Sequence, residues 1–357
     1  MNTREELFDF YKGKRVFLTG HTGFKGSWMC RILGILGSEV CGYSLEPPTF
    51  PSLYETAEIE KDILSVKGDV RDRESLERAM MDFRPDVAIH MAAQPLVRLS
   101  YDEPHMTYET NVMGTVNFLE AVRKTGSVRS VVNVTTDKVY FNREDSTGYV
   151  ETDMLDGYDP YSNSKSCSDI ITHSYRSSFF NGNPAVSTAR AGNVIGGGDF
   201  AKDRLLPDCV RAASENKPVI IRNPEAVRPF QHVIEPLFAY LILAMEQYLD
   251  SSKEGAYNVG PDIINCLTVK DMVEHFCRSW GEGASYNVQG DGGPHEAKLL
   301  MLNCRKITEV LGWKPVWDAG QAVEMTIEWS KVWKMGEDVR RVMDRQIESY
   351  LSIISHD

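Results

Sequence analysis

Residues 15–26 read Arg-Val-Phe-Leu-Thr-Gly-His-Thr-Gly-Phe-Lys-Gly. A short apolar run ends in a glycine-rich turn, and a helical pattern follows to about residue 36. A strand running into a glycine turn and then a helix opens a dinucleotide-binding βαβ unit. The spacing is Gly20-x-x-Gly23-x-x-Gly26 rather than GxGxxG. Glycines let the backbone approach a pyrophosphate, and the helix N terminus adds oriented N–H donors. An ordinary tight turn would show the same glycines, so the strand–turn–helix setting carries the reading. It marks Gly20, Thr22, Gly23, Phe24, Lys25 and Gly26 as cofactor contacts, with Ser27 beside them.

Further strands are predicted at 39–43, 63–68, 87–91, 130–136 and 185–190, with a long amphipathic helix at 106–123. Strands alternating with helices imply an α/β fold, a Rossmann-type doubly wound parallel sheet with helices on both faces. After about residue 191 Gly and Pro become frequent and strands shorten. The expected division is therefore an NAD-binding domain from 1–191 plus about 231–256. A smaller α+β substrate-binding domain takes about 192–230 plus 257–315, and 316–357 forms a helical C-terminal tail.

In such folds an acidic residue after the second strand holds the adenosine ribose. Here that place falls to Ser44, with Glu46 two residues on. No Arg or Lys stands there in sequence to pair a 2′-phosphate, so NAD is expected over NADP. Asp69 and Val70 end the third strand, where Asp69 reads equally as an adenine contact or a loop cap. Ala92, Ala93 and Gln94 follow the fourth strand, and small residues there allow close cofactor approach.

The reactive pattern is Tyr161-Ser-Asn-Ser-Lys165. Asp159-Pro160 before it is a helix start, with Asp as N-cap and Pro at the first position. Tyr161 and Lys165 are then four apart on one helix face. A nearby Lys⁺ and the helix dipole both favour phenolate, so a lowered Tyr161 pKa is expected. A phenolate can accept a sugar hydroxyl proton as hydride leaves for nicotinamide.

These segments, with HMAAQ, ETNVMGT, VNVTTDKVY and RAGNVIGGGD, resemble the extended short-chain dehydrogenase/reductase superfamily in its nucleotide-sugar-modifying branch. The likeness covers almost the whole chain. It implies that Thr136 hydrogen-bonds the sugar C4 hydroxyl beside Tyr161, with Lys165 as the helper. Most 4,6-dehydratases of the branch follow this Thr with Asp-Glu, as acid and base. This chain has Thr136-Asp137-Lys138, which favours dehydration over epimerisation and matches the branch's CDP-glucose subgroup. Whether Lys138 is the base at C5 or orders a water stays open.

The resemblance implies CDP-glucose as substrate, with a product that feeds bacterial 3,6-dideoxyhexoses of lipopolysaccharide O-antigen. It places Asn193, Asn258 and Arg228, the last in Arg228-Pro-Phe-Gln-His-Val233, at the nucleotide sugar. Gln94 and Arg98 follow the fourth strand within reach of the hexose. Arg204, Arg222 and Lys298 are further cationic candidates, and each reads equally well as a solvated surface residue. Nothing in the residue chemistry itself specifies cytosine.

Composition bounds the rest. The 357 residues carry 39 Lys and Arg against 51 Asp and Glu, a formal charge of −12. That balance disfavours nucleic acid and anionic membranes as partners. Small anions must then be held by local fields. No apolar run approaches the length of a membrane span, and the first residues lack a signal-peptide core. Seven cysteines without a CxxC pair disfavour disulfides and zinc, so a reducing cytoplasm is expected. His21, His90 and His232 read as structural, and no metal is expected. Helices near 107–123 and 161–180 are the expected faces of a homodimer or homotetramer, with Tyr175, Phe179 and Phe180 either there or in the core.

Overall fold

The computed structural model describes residues 3–355 apart from 145, 282 and 291–297. Its centre is a seven-stranded, wholly parallel sheet. Six strands follow the predicted sequence segments: β1 Arg15–Thr19, β2 Glu39–Ser44, β3 Leu64–Lys67, β4 Val87–His90, β5 Ser130–Val134 and β6 Ala185–Ala191. Their order is β6-β5-β4-β1-β2-β3, and Ala256–Val259 adds an edge strand beside β6. Successive side chains alternate between faces. Val16 and Leu18 of β1 enter one core, while Phe17 enters the other.

The first face is covered by helix α1 Arg4–Tyr11, helix α2 Phe24–Ile35, helix Ile234–Leu249 and helix Val339–Ile353. Helix α1 was not foreseen from sequence. Thr3 and Glu6 form its capping box, and Leu7 and Tyr11 bury its inner side. The second face is covered by helices Arg73–Phe83 and Gly114–Thr125 and by Phe180.

Two parts of the expected division differ. Tyr257 and Val259, placed by sequence with the second domain, pack in the main core. A four-residue strand between Gly255 and Gly260 carries too short a pattern to say which sheet it joins. The expected helical tail is two helices parted at Gly336 (φ +71°). Helix Ala319–Lys334 sends Ala322, Val323 and Ile327 into the smaller region's core. Val339–Ile353 instead packs Met343 and Ile347 into the main one.

The smaller region holds three two-stranded pairs. Its core gathers Leu206 and Cys209 of helix Leu205–Ser214 with Met272, Phe276 and Trp280 of helix Val269–Trp280. Residues 291–297 of the expected insertion lie outside the described part. Among the described residues, no helix is long and apolar enough to cross a membrane.

Candidate active site

The glycine turn closes tightly on the C-terminal end of the sheet. Gly20 has φ +80°, and a Cβ there would stand 2.8 Å from Ala92 N. A Cβ on Gly26 would lie 2.1 Å from Gly20 O. Both positions therefore need glycine for the chain's own packing. Gly23 differs, because a Cβ there would meet only Gly20 O at 3.5 Å. Gly23 is also the N-cap of α2 and offers no side-chain cap. The protein's packing does not demand glycine here, which fits a cofactor phosphate approaching this backbone. Phe24 sits at the first helical position and packs against the main core. Ala92 lies against Gly20, and Ala93 is half-buried beside it.

Thr22 Oγ1 meets Ser44 Oγ at 2.9 Å and donates to Leu45 O at 2.9 Å. This joins the glycine turn to the end of β2, where a ribose would sit. Sheet register puts Lys67 of β3 beside Ser44. Lys67 there forms an ion pair with Glu46. A lysine therefore does stand at this place in space, although none does in sequence. Its charge is answered by Glu46, which keeps the site compatible with NAD.

Asp69 accepts from Arg71 N at 2.9 Å and pairs with the Arg71 guanidinium at 2.6 Å. That guanidinium holds the Asp69 carboxyl below its ordinary range. Asp69 is thus already engaged in its own loop, and Val70 lies in the second core. Gln94 is likewise committed. Its amide donates to Thr107 Oγ1 at 2.9 Å and to Leu96 O at 3.1 Å.

The helix Pro160–Tyr175 starts as its sequence predicts. Asp159 Oδ1 accepts from Ser162 N at 2.9 Å, and Pro160 occupies the first turn. A single π-helical turn, Glu109–Met113, breaks the helix expected over 106–123. It sets Asn111 to accept from Gln94 N at 2.8 Å and donate to Ser164 Oγ at 2.9 Å. Ser164 Oγ in turn donates to Tyr161 O at 2.7 Å. The sequence reading quoted Asn111 within a motif but gave it no role. Single π-turns are frequent at functional sites.

Lys165 Nζ donates to Val134 O at 3.0 Å. Burial, and then the charge of Lys25, lower its pKa to about 7, against a raising influence from Asp169. Lys25 is also lowered, to about 8, by burial and by Arg204. Tyr161 contradicts the sequence expectation. Burial pushes its phenol up to about 12, and Asp137 adds to the rise. A hydrogen bond with Thr136 and the charge of Arg204 pull the other way. Desolvation of the phenolate outweighs the helix dipole although the residue is only part-buried.

The Thr136–Lys138 turn faces this pair. Thr136 Oγ1 donates to Asp137 Oδ1 at 2.9 Å, and Lys138 Nζ donates to the same oxygen at 3.1 Å. Asp137 is 0% exposed, and its Oδ2 has no partner among the described residues. Lys138 Nζ also donates to Asn193 Oδ1 at 3.3 Å. Asn193 therefore lies against the Thr136–Lys138 turn.

The other candidates divide. Arg204, bonded to Asp199 at 3.0 Å, lies near enough to Tyr161 and Lys25 for its charge to act on both. Arg228 is nearly buried and donates to Val227 O and Lys298 O at 2.9 and 3.3 Å. The Lys298 side chain is exposed. Arg222 pairs with Asp203 at 3.0 Å near the surface. Arg98 is half-buried in the helix Val97–Asp102.

Asn258 is fully buried, and its side chain serves the scaffold. It accepts from Tyr140 Oη at 2.6 Å and donates to Tyr149 O and Asn303 O. That is a correction to its expected place at the substrate. The three histidines are buried and held neutral by desolvation, with pKa values lowered to about 4 for His21 and about 3 for His90 and His232.

A parallel sheet, a glycine turn at the end of β1 and a Tyr161–Lys165 helix beneath a Thr-Asp-Lys turn define an extended short-chain dehydrogenase/reductase built for nucleotide sugars. The chain belongs to the GDP-mannose 4,6 dehydratase family, whose sequence profile matches residues 17–326. It is 47% identical over 354 residues to a CDP-glucose 4,6-dehydratase of Salmonella typhimurium, covering 96% of this chain and 98% of that one. A dTDP-glucose 4,6-dehydratase of Escherichia coli is 25% identical over 342 residues, 88% of this chain and 92% of its own. The fold is also that of UDP-glucose 4-epimerase from Thermus thermophilus in complex with NAD. The TM-score there is 0.77 and the identity 24%, over 89% of this chain and 99% of that one.

Proposed function

We propose that the protein converts CDP-D-glucose to CDP-4-dehydro-6-deoxy-D-glucose and water, with NAD restored in each turnover. The observation that carries this reading is the Thr136–Lys138 turn. Its Asp137 is buried close to Tyr161, with one carboxylate oxygen left without a partner among the described residues. An epimerase would have no use for an acid at this place. The likeness to the Salmonella enzyme supports the choice of CDP-glucose within the family.

Gly20, Gly23 and Gly26 would hold the pyrophosphate of NAD, and Thr22 and Ser44 its ribose. When bound, NAD supplies the hydride acceptor and donor for C4 and C6 of the sugar. Thr136 and Tyr161 together engage the C4 hydroxyl, and Tyr161 removes its proton. The 4-ketone then acidifies C5–H. Asp137, through Oδ2, gives a proton to the departing C6 hydroxyl. Lys138 donates to Asp137 and Asn193, and in this reading it orders a water that takes the C5 proton as the C6 hydroxyl leaves as water. Arg204 and Asn193, both close to the reactive residues, and Arg228 would hold the nucleotide diphosphate in this reading.

The test is a panel of CDP-, dTDP-, GDP- and UDP-glucose incubated with the purified chain and NAD. Alkaline absorbance of a 4-keto-6-deoxy sugar with CDP-glucose is the expected result. Signal only with another nucleotide would move the substrate and keep the reaction. Formation of CDP-galactose would replace the dehydratase by an epimerase. A Lys138→Ala chain should keep reduced but measurable exchange of the C5 proton with solvent, and complete loss of exchange would return Lys138 to the base role.

A further inference from the structure

Beneath the reactive residues lies a charge pair that takes no part in the chemistry described above. Asp169 follows Lys165 by one helical turn, and Arg190 stands inside β6; each side chain is only 4% exposed. Arg190 Nε and Nη2 meet the two Asp169 oxygens at 2.8 Å each, a forked contact.

The pair also reaches outward in several directions. Asp169 Oδ2 accepts from Thr135 Oγ1 at 3.1 Å. Arg190 Nη1 donates to Tyr140 Oη at 2.8 Å and to Glu151 O at 2.9 Å. Thr135 and Tyr140 flank the Thr136–Val139 segment on either side. Arg190 leads through Ala191 and Gly192 to Asn193, which holds Lys138. One buried pair therefore touches both ends of the reactive turn, the helix of Tyr161 and Lys165, and the strand that delivers Asn193.

We infer that the Asp169–Arg190 pair is a positioning device that fixes the Thr136–Lys138 turn against the helix carrying Tyr161 and Lys165. The alternative is a plain structural ion pair. Fully buried ion pairs are weak evidence for stability, because desolvation offsets most of their attraction. A pair kept for stability alone would not need its fork shared with Thr135 and Tyr140. The physical gain is registration. An alignment error of about 1 Å between donor, base and sugar can cost about 100-fold in rate. Lys165 also feels the Asp169 charge directly.

This inference rests on the catalytic reading of Tyr161 and Asp137, so its test uses whichever nucleotide sugar the wild-type chain turns over. A wrong substrate then leaves the test standing. Thr135→Val removes one hydroxyl with little change of shape and should fold. It is expected to lower kcat about tenfold with KM within about twofold. Thr135→Ser, which returns the hydroxyl, should restore kcat.

Arg190→Lys keeps the charge but cannot reproduce the fork. It should lower kcat about 100-fold, again without a matching rise in KM. The inference is overturned by a folded Thr135→Val chain with wild-type kcat. It is equally overturned if the loss lies wholly in KM, or if Thr135→Ser is as impaired as Thr135→Val. Circular dichroism and melting temperature on the same samples separate these results from unfolding.

Discussion

Tyr161 shows how one part-buried ring reverses an expectation from spacing. The sequence places Lys165 one turn away, and a helix N terminus below it, both favouring phenolate. The folded chain spends that advantage on burial, and only Thr136 and Arg204 act against it. Arg204 lies far along the chain, in a segment where sequence offered only a generic cation. Since Arg204 lowers the Tyr161 pKa, removing it must raise that value further. An Arg204→Met chain should therefore show the ascending, acid-side limb of its kcat/KM profile, which reports deprotonation of Tyr161, displaced to higher pH than that of wild type. A pH–rate comparison of the two chains measures this directly.

Asp169 and Arg190 were also open to reading at this scale. A guanidinium in the otherwise uncharged strand Ala-Val-Ser-Thr-Ala-Arg-Ala demands a buried partner, and Asp169 lies on the buried face of the next-door helix. What sequence could not supply was the pairing between them.

At the scale of elements, the glycine turn gives a pair of contrasting predictions. Gly26→Ala sets a Cβ 2.1 Å from Gly20 O, so the turn must open and stability must fall. A drop of several degrees in melting temperature, or insolubility, is expected. Gly23→Ala meets nothing closer than 3.5 Å in the protein. That chain should melt like wild type but bind NAD about tenfold or more weakly by calorimetric titration.

A second element-level case is the seam at Glu235. Its Oε1 accepts from Val316 N at 2.9 Å and Trp317 N at 2.7 Å, which ties helix Ile234–Leu249 to the chain entering helix Ala319–Lys334. Burial raises its pKa to about 7, and those two backbone bonds only partly offset the rise. The folded state then holds a proton that the unfolded chain has released between about pH 4.5 and 7. Stability from this group is full below that window and falls as pH rises through it. Glu235→Gln should be close to neutral near pH 4. At pH 8 it should stabilise by up to roughly 2 kcal/mol. Thermal melts of both chains at the two pH values check the sign.

The strands and the catalytic helix were legible because each depends on local pattern: an apolar run, a cap, a glycine turn. The π-turn at Glu109–Met113, the edge strand Ala256–Val259 and the split of the C-terminal helices were not. Each is decided by packing against residues remote in sequence, to which a local pattern is blind.

Across the whole molecule, the −12 charge is compatible with a site that handles anions, because Lys25, Lys138, Lys165 and Arg204 gather at one end of the sheet. The self-association expected from sequence would fall on one exposed apolar surface. Met113, Ile170 and Phe179 are about half exposed on the neighbouring segments 109–113, 160–175 and 176–180, whereas Phe180 and part of Tyr175 turn into the second core. An Ile170→Glu/Phe179→Glu chain should sediment as a monomer where wild type sediments as a dimer or larger. A wild-type chain that is already monomeric would remove this surface from consideration.

The late arrival of Ala256–Val259 in the sheet carries a practical consequence for anyone dividing the chain. A fragment ending at residue 191 would hold the glycine turn, the Thr136–Lys138 turn and Tyr161. It would also leave β6 as an open edge, with backbone donors bared that Ala256–Val259 now satisfies. It would lose Asn258, which closes Tyr140 from behind. Open edges of this kind recruit other chains. An isolated cofactor half is thus expected to clump rather than bind NAD. A chimera with a relative must carry its crossover beyond residue 259, so that strand and sheet come from one parent. During synthesis, too, the sheet can close its edge only after the first segment of the substrate region, 192–230, has left the ribosome.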